Sequence, residues 1–127
     1  MSLQAGLKGE AFTTVTEKNT AVAVGSGLLP VFATPSMCAL MEKAACAAVA
    51  TALQDGEGSV GISLNITHSR ATALNDTVTA TAVLTEISGR KLTFTVTAED
   101  SRGIIGQGSH ERFIINNEKF MAKLQEK

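Results

Sequence analysis

The sequence predicts an α+β domain in which a curved antiparallel sheet of about five strands wraps around one long central helix. Three observations indicate this arrangement. Residues 34–53 are apolar on nearly every face of a helix, so they must be covered on all sides. One strand-like segment precedes them and four alternating segments follow. An antiparallel sheet buries only one face, so a single sheet has to curve to cover such a helix.

The elements follow in order along the chain. Residues 8–16, KGEAFTTVT, are rich in strand-forming residues, and a turn is predicted at 17–19. Residues 20–33 are apolar but interrupted by Gly25, Gly27 and Pro30, which predicts an irregular and mobile segment. The helix is predicted to begin with Thr34 as N-cap and Pro35 as its first residue. It should end near residue 53, before the sequence QDGEG.

Four strands are predicted at residues 60–69, 77–87, 91–100 and 104–115. The connections Ser88-Gly89-Arg90 and Ser101-Arg102-Gly103 are short and contain glycine, so the last three strands should form antiparallel hairpins. Strand 91–100 shows the alternation best, because its inward face is predicted to hold Leu92, Phe94, Val96 and Ala98. The polar end of the chain, NNEKFMAKLQEK, is predicted to form a short surface helix.

Length and composition exclude several classes of protein. The 127 residues predict one domain spanning 1–127, and the 44% hydrophobic and 18% charged content is ordinary for a globular protein. A net charge of -1 without a basic patch argues against nucleic acid as a partner. The apolar runs are too short or too charged to cross a membrane, and the first residues lack a signal peptide, so a cytoplasmic location is expected.

The cysteines and histidines predict neither a disulfide nor a metal site. Cys38 and Cys46 are eight residues apart in one helix, about 12 Å along its axis, which is too far for a disulfide. Both are predicted to be small core residues. With only two histidines and no cysteine pair at ligand spacing, no metal is expected.

A helix that is apolar on all faces also predicts a second subunit. One curved sheet covers only part of the helix, so a partner copy should close the rest. A curved sheet around a helix, paired in this way, is the hot-dog fold. We therefore expect a homodimer, and pairing of dimers into tetramers stays open.

Three side chains that could perform chemistry are predicted to converge. Glu42 is a carboxylate among small apolar residues in LMEKAACAAVA. His68 ends an alternating row that is predicted to face the helix, assuming no bulge: Ile62, Leu64, Ile66 and His68. Thr34 lies at the helix N-terminus, where the helix dipole favours negative charge. Each has a simpler explanation: Glu42 reaching solvent or pairing with an arginine, His68 at a strand edge, Thr34 as a cap. Their convergence favours a site.

The second histidine, His110, gives a weaker signal. Its position in the strand has the opposite parity to Phe113 and Ile115, but Ile104 and Ile114 share the parity of His110. The orientation of this strand therefore stays open, and His110 is not counted among the predicted site residues.

At these residues the sequence resembles the fluoroacetyl-CoA thioesterase family of hot-dog proteins. The resemblance extends from about Gly9 to Lys123 and is carried by spaced blocks in the right order. The blocks are Val31–Thr34 with Met37, Leu40–Glu42, Ala44 and Cys46; Gly56–Ser59 with Gly61, Thr67 and His68; and Gly108, His110–Arg112, Glu118–Phe120, Ala122 and Lys123.

The resemblance implies hydrolysis of an acyl-CoA thioester, with Thr34, Glu42 and His68 matching the family's catalytic residues. It implies that the backbone of Gly61 contacts the thioester region and that Arg112 lies near the bound acyl-CoA. We expect a short-chain acyl-CoA as substrate, and no metal or redox cofactor beyond the CoA of the substrate itself.

Two departures from the family bear on the substrate. Residues 20–30 contain no phenylalanine, although the fluoroacetate-specific member has phenylalanines in this segment, and Lys43 replaces the family's tryptophan. Two other functions are left open. One is a non-catalytic module that binds acyl-CoA or another small ligand, and the other is an enoyl-CoA hydratase on the same fold.

Overall fold

The computed structural model describes residues 2–126, which form a curved antiparallel sheet around a central helix. The elements, in chain order, are β1 (Lys8–Thr14), a 3-10 turn (Glu17–Asn19), α1 (Ala21–Val24), α2 (Thr34–Val49), β2 (Glu57–His68), β3 (Thr77–Ser88), β4 (Lys91–Asp100), β5 (Gly103–Asn116) and α3 (Asn117–Leu124). No helix within the described range is long and apolar enough to span a bilayer.

The five strands lie in the order β1-β3-β4-β5-β2, and every neighbouring pair is antiparallel. The predicted β3–β4 and β4–β5 hairpins are confirmed. Strand β2 pairs with β5 rather than with β3, its neighbour in sequence, so β2 forms one edge of the sheet. Its outer side has no partner strand within the described chain.

Helix α2 packs on the concave face of the sheet, mainly against β1 and β3. The predicted inward row of β4 is confirmed, because the side chains of Leu92, Phe94, Val96 and Ala98 are all fully buried. The buried side of the helix consists of Met37, Leu40, Met41, Ala44, Ala45, Ala48 and Val49. These two surfaces form one hydrophobic core.

Gly9 allows β1 to approach the helix backbone directly. A Cβ atom at this position would lie 2.3 Å from the carbonyl oxygen of Ala44 and from the amide nitrogen of Ala48. Backbone atoms cannot move aside as a side chain can, so only glycine fits here.

Several predictions about the helix region are wrong in detail. Helix α2 ends at Val49 rather than near Leu53, and its N-cap is Ala33 rather than Thr34. Cys46 is exposed rather than buried, and Cys38 is half-buried. The segment expected to be irregular contains a short helix, α1, capped by the Thr20 side chain.

One side of α2 is not covered by the sheet, as the sequence suggests. Six residues on this surface are exposed: Pro35, Ala39, Lys43, Cys46, Ala47 and Ala50. All but one are small or apolar, so the helix of a single chain leaves an apolar side uncovered.

The strand ladders contain three register shifts, one of them in β3 between Leu84 and Glu86, and the other two change predictions about which residues face the core. In β2 a bulge between Gly61 and Ser63 turns Ile62 outward, and its side chain is 51% exposed. The prediction of an unbroken inward row is therefore wrong at Ile62, although Leu64 and Ile66 do pack against the core. In β5, the register shift near Gly106 leaves Ile104 exposed and makes Ile105 a core residue.

Candidate active site

Thr34 and His68 form a pair where α2 begins and β2 ends. The Oγ1 atom of Thr34 lies 2.7 Å from Nδ1 of His68. The N-cap residue, Ala33, makes no side-chain capping bond, so the first turn of the helix has no hydroxyl cap. The hydroxyl of Thr34 binds the imidazole. The sequence rule for capping fails here because the helix begins one residue earlier than predicted, so that Ala33, which has no hydroxyl, is the N-cap.

The imidazole of His68 is held mainly in its neutral form. Burial lowers the pKa of His68, and the nearby backbone carbonyl of Arg70 opposes this only in part. A neutral ring can accept the Thr34 hydroxyl proton at Nδ1 while carrying its own proton on Nε2. The Nε2 atom is buried and has no hydrogen-bond partner within residues 2–126.

A cavity of about 260 Å³ opens beside this pair. Its walls include Ala21 and Ser26 from the segment before α2, Phe32, and the pair itself. The first turn of α2 begins at Thr34, which lines this cavity, and the free amide groups of a helix N-terminus can stabilise negative charge. A larger cavity of about 570 Å³, between Thr16–Lys18 and Leu74–Asn75, is a broad surface depression that contains neither Thr34 nor His68.

Glu42 is in a second cluster, two turns further along α2. Its Oε2 atom lies 3.3 Å from Nη1 of Arg112, and the Glu42 side chain is 44% exposed whereas that of Arg112 is 7% exposed. The carboxylate rests against Gly61, where a Cβ atom would lie 2.6 Å from Oε2. Pairing with an arginine was one of the simpler explanations for Glu42, and the structure contains such a pair.

Arg112 is held on its other sides by Ser59 and His110. Its Nε donates to the Ser59 hydroxyl at 2.8 Å and its Nη2 donates to the Ser59 carbonyl at 2.9 Å. Its Nη1 also lies 3.2 Å from Nε2 of His110. His110 is not among the site residues predicted from the sequence. The parity that His110 and Arg112 share with buried Ile114 is the signal that could have placed it inward.

The structure therefore brings the predicted residues together in two groups rather than one. Thr34 contacts His68, and Glu42 contacts Arg112 beside Gly61. Thr34 and Glu42 are eight residues apart on one helix, about 12 Å along its axis. No hydrogen bond or ion pair in the described part of the chain joins the two groups.

The curled five-stranded sheet around one helix defines a hot-dog protein, and the threonine–histidine pair lies at the start of that helix. Residues 15–118 match the model of the family described as fluoroacetyl-CoA-specific thioesterase. The chain belongs to this family.

Individual relatives agree with the assignment. The fluoroacetyl-CoA thioesterase of Streptantibioticus cattleyicolor is 47% identical over 97 residues, which are 76% of this chain and 70% of the relative. A solved structure of the fluoroacetyl-CoA thioesterase FlK has a TM-score of 0.92 at 37% identity. The match covers 98% of this chain and 97% of the FlK chain. A thioesterase superfamily member from Thermus thermophilus has a TM-score of 0.88 at 25% identity, covering 96% and 90%.

These comparisons confirm the predicted family, the hot-dog fold and the thioester hydrolase class. They do not test the roles of the individual site residues, which stay predictions: Thr34, Glu42, His68, Gly61 and Arg112.

Proposed function

We propose that the protein hydrolyses a short-chain acyl-CoA to the free acid and CoA, with Thr34, Glu42 and His68 as the catalytic residues. The observation that carries this proposal is the 2.7 Å contact between Thr34 Oγ1 and His68 Nδ1 beside an open cavity. The activity of the 47% identical relative, a fluoroacetyl-CoA thioesterase, supports the same reaction.

Hydrolysis forms a C–O bond at the thioester carbonyl, breaks the C–S bond and delivers a proton to the departing thiolate. Glu42 can serve either as the general base that activates water or as a nucleophile that forms an anhydride, which water then opens. Its exposed carboxylate is accessible for both roles, and the contact with Arg112 fixes its orientation.

His68 is suited to pass a proton to the thiolate once its Nδ1 atom has taken one up from the Thr34 hydroxyl, which water then replenishes, because a neutral ring does not give up its only proton. With Nδ1 accepting from Thr34, the remaining proton is on Nε2, which has no partner within residues 2–126. Thr34 holds the ring in this orientation and can contact the substrate carbonyl. Amide groups of the first turn of α2 and of Gly61 can stabilise the oxyanion. Arg112 lies next to the acyl-CoA in this scheme and acts mainly through Glu42, because protein groups surround its guanidinium.

The proposed site needs two protomers. A single chain leaves the outer edge of β2 and the apolar side of α2 uncovered, and a second copy can cover both. Antiparallel pairing of two β2 strands about an axis near Leu64 and Asn65 would place Gly61 opposite the partner's His68. Glu42 of one protomer would then meet the Thr34–His68 pair of the other. We therefore propose a homodimer with two shared sites.

The proposal adds no metal or redox cofactor, since water is the only co-reactant of this hydrolysis. No group of three or more His, Cys, Asp or Glu side chains among the described residues is arranged to hold a metal ion. A cytoplasmic location also stays a prediction, and the two free cysteines fit a reducing compartment.

The test is thiol release from acetyl-, propionyl- and butyryl-CoA, with the absorbance of an enoyl-CoA followed in parallel. We expect thiol release by the native protein and its near loss in Glu42→Gln, with Glu86→Gln on the outer face of the sheet as the matched control. Tight binding without turnover would favour the non-catalytic module, and loss of enoyl absorbance without thiol release would favour the hydratase.

A further inference from the structure

The hydrogen bonds of His110 fix both its charge and its tautomer. Its Nδ1 atom lies 2.8 Å from the carbonyl oxygen of Ser63, and its Nε2 atom lies 3.2 Å from Nη1 of Arg112. A carbonyl oxygen only accepts hydrogen bonds and a guanidinium only donates them. The ring must therefore carry its proton on Nδ1 and offer the lone pair of Nε2 to Arg112, which describes a neutral imidazole.

The surroundings of the ring favour this neutral state and hold the ring in place. Burial is the main effect that lowers the pKa of His110, and the positive charge of Arg112 lowers it further. The Ser63 carbonyl and the carboxylates of Glu42 and Glu111 act in the opposite direction, but the pKa is lowered overall. The ring stacks against Phe94 with their centroids 6.1 Å apart, and the residue is only 1% exposed. His110 is thus a rigid acceptor aimed at Arg112.

The N–H groups of the Arg112 guanidinium bind both the residues that hold it in place and the Glu42 carboxylate. One Nη1 proton points to His110 and the other to Glu42, at 3.2 and 3.3 Å. Its Nε and Nη2 atoms are bound to Ser59. Among these partners, Glu42 has the carboxylate that reaches a surface cavity, of about 210 Å³.

We propose that His110 is a positioning residue, which holds the Arg112 guanidinium so that Nη1 orients the Glu42 carboxylate toward the substrate. This inference rests on the proposed function, in which Glu42 is the reacting carboxylate. His110 also lines the cavity that Glu42 reaches, but it is only 1% exposed and both of its ring nitrogens are already bonded, so it acts through Arg112 rather than by contacting the thioester.

Two substitutions of His110 test its two hydrogen bonds one at a time. In His110→Gln the side-chain oxygen can reach the position of Nε2 and accept from Arg112. In His110→Asn the shorter amide can donate to the Ser63 carbonyl but leaves Arg112 without its acceptor. We expect His110→Asn to lower kcat by about 10- to 100-fold with little change in KM, because a small misplacement of a catalytic group is costly. His110→Gln should retain distinctly more activity.

A double-mutant cycle tests whether the effect passes through Glu42. In a Glu42→Gln background, adding His110→Asn should leave the residual kcat unchanged, whereas an independent structural effect would multiply the two losses. Val96→Ala, which removes buried volume from the same sheet, is the packing control and should lower stability without lowering kcat.

The outcomes distinguish this inference from the proposed function. If Glu42→Gln is impaired while folded His110→Asn has the native kcat, or if the two losses multiply, the positioning role is wrong and the proposed function stands. If Glu42→Gln has the native rate, the role of Glu42 itself is wrong. Should His110→Asn fail to fold by circular dichroism, Arg112→Lys replaces it: it keeps a positive charge beside Glu42 but loses the guanidinium that bonds to Ser59 and His110, and a native kcat there overturns the inference.

Discussion

The side chain of Thr34 illustrates how a tertiary contact replaces a local one. A threonine before proline at the start of a helix is ordinarily a cap, but here the hydroxyl bonds to an imidazole 34 positions later in the chain. The helix gives up a capping bond that is typically worth about 1 kcal/mol. This cost is understandable if the hydroxyl and the ring act together on a substrate.

We predict that His68→Ala lowers kcat by about 10²–10⁴-fold, the usual contribution of a general acid or base, while KM changes much less. The measurement is steady-state thiol release from a short acyl-CoA. Thr67→Ala, at the neighbouring exposed position of β2, is the matched control and should retain native activity. Equal and small effects of the two substitutions would make His68 a structural edge residue.

We also predict that stability falls as the pH drops below about 6.5, the ordinary pKa of histidine. The pKa values of His68 and His110 are both lowered, chiefly by burial, so the unfolded chain binds protons more tightly than the folded one. Their contribution is complete above that pH and is lost as the pH falls through the folded-state pKa values. Urea midpoints at pH 8, 6 and 5 measure this.

The acid response should have a second, lower stage. Burial alone would raise the pKa of Asp100, but hydrogen bonds from Thr72 and from the Arg102 amide, together with Arg70, lower it overall. The contribution of Asp100 to stability is therefore lost only as the pH falls below about 4.

For the two histidines, identical urea midpoints at pH 8 and pH 5 would contradict the prediction.

At the scale of single residues, the sequence predicted the unusual side chains but not their partners. A lone carboxylate in an apolar helix is visible in the sequence, so Glu42 was found. Its partner Arg112 is 70 positions away, and nothing local indicates that pairing. His110 was missed for the same reason, since its parity was ambiguous until the register shift near Gly106 was known.

Among the elements, strand β2 shows what alternation can and cannot establish. Its inward Leu64 and Ile66 agree with the pattern, but the strand begins at Glu57, three residues before the predicted start at residue 60. The bulge at Ile62 could not be predicted from the alternation of one sequence. The bulge depends on pairing with β5, which turns Gly61 toward Arg112. Strand β4 has no bulge within its inward row, and there the pattern alone was sufficient.

Two glycines that approach α2 should respond differently to alanine. At Gly9 the added methyl would meet backbone atoms of α2 at 2.3 Å, so the strand must move and stability should fall by about 1–3 kcal/mol or more. At Gly61 it would meet the end of the Glu42 side chain at 2.6 Å, which can rotate away, and Cε1 of His110 at 3.3 Å, where a shift of a few tenths of an ångström relieves the contact. Gly61→Ala should therefore unfold near the native temperature but lose about tenfold or more in kcat.

Thermal melting and thiol release on both variants provide the check, since each glycine serves as the control for the other. A Gly61→Ala protein that is strongly destabilised yet fully active when folded would show that the contact with Glu42 has no catalytic value.

The segment that contains α1 should select acyl groups by size. Ala21, Ser26 and Val31 line the cavity beside Thr34, and residues 20–30 include no aromatic side chain. The aliphatic residues of this segment discriminate about 1–3 kcal/mol per methylene. Phe32 is an aromatic side chain in the wall of the cavity, but it is buried in the core and lies outside the segment, so the segment itself has no aromatic edge with which to recognise a single fluorine. We expect a graded dependence on acyl length and little preference for fluoroacetyl- over acetyl-CoA.

The measurement is kcat/KM for fluoroacetyl-, acetyl-, propionyl- and butyryl-CoA. A preference for the fluorinated substrate of roughly a thousandfold, or about 4 kcal/mol, would show that recognition comes from elsewhere in the site.

For the whole molecule, the central question is whether two chains share each site. Thr34→Ala and Glu42→Gln should each be inactive as pure proteins. If the sites are shared, a mixed dimer of the two variants contains one site with every native side chain. Mixing them 1:1 through reversible denaturation should then restore about a quarter of the native activity, since half of the dimers are mixed and each has one working site of two.

If each chain instead contains a complete site, the mixture stays inactive, because every chain has one damaged residue. Light scattering on the same samples gives the oligomeric state, and a folded monomer with native activity would contradict the dimer altogether. The sequence could suggest a partner from the apolar helix, but not which residues it contributes, because that depends on the edge at which the chains meet.

The missing cap of α2 also has a consequence for hydrogen exchange. Within residues 2–126 the amide groups of Thr34 and Ser36 have no hydrogen-bond partner, Pro35 has no amide hydrogen, and the helical bonding begins with Met37 to Ala33. These two amides should exchange rapidly with deuterium although the rest of the helix is deeply protected. If an acyl-CoA carbonyl is bound there, their exchange should slow while that of other surface amides does not change.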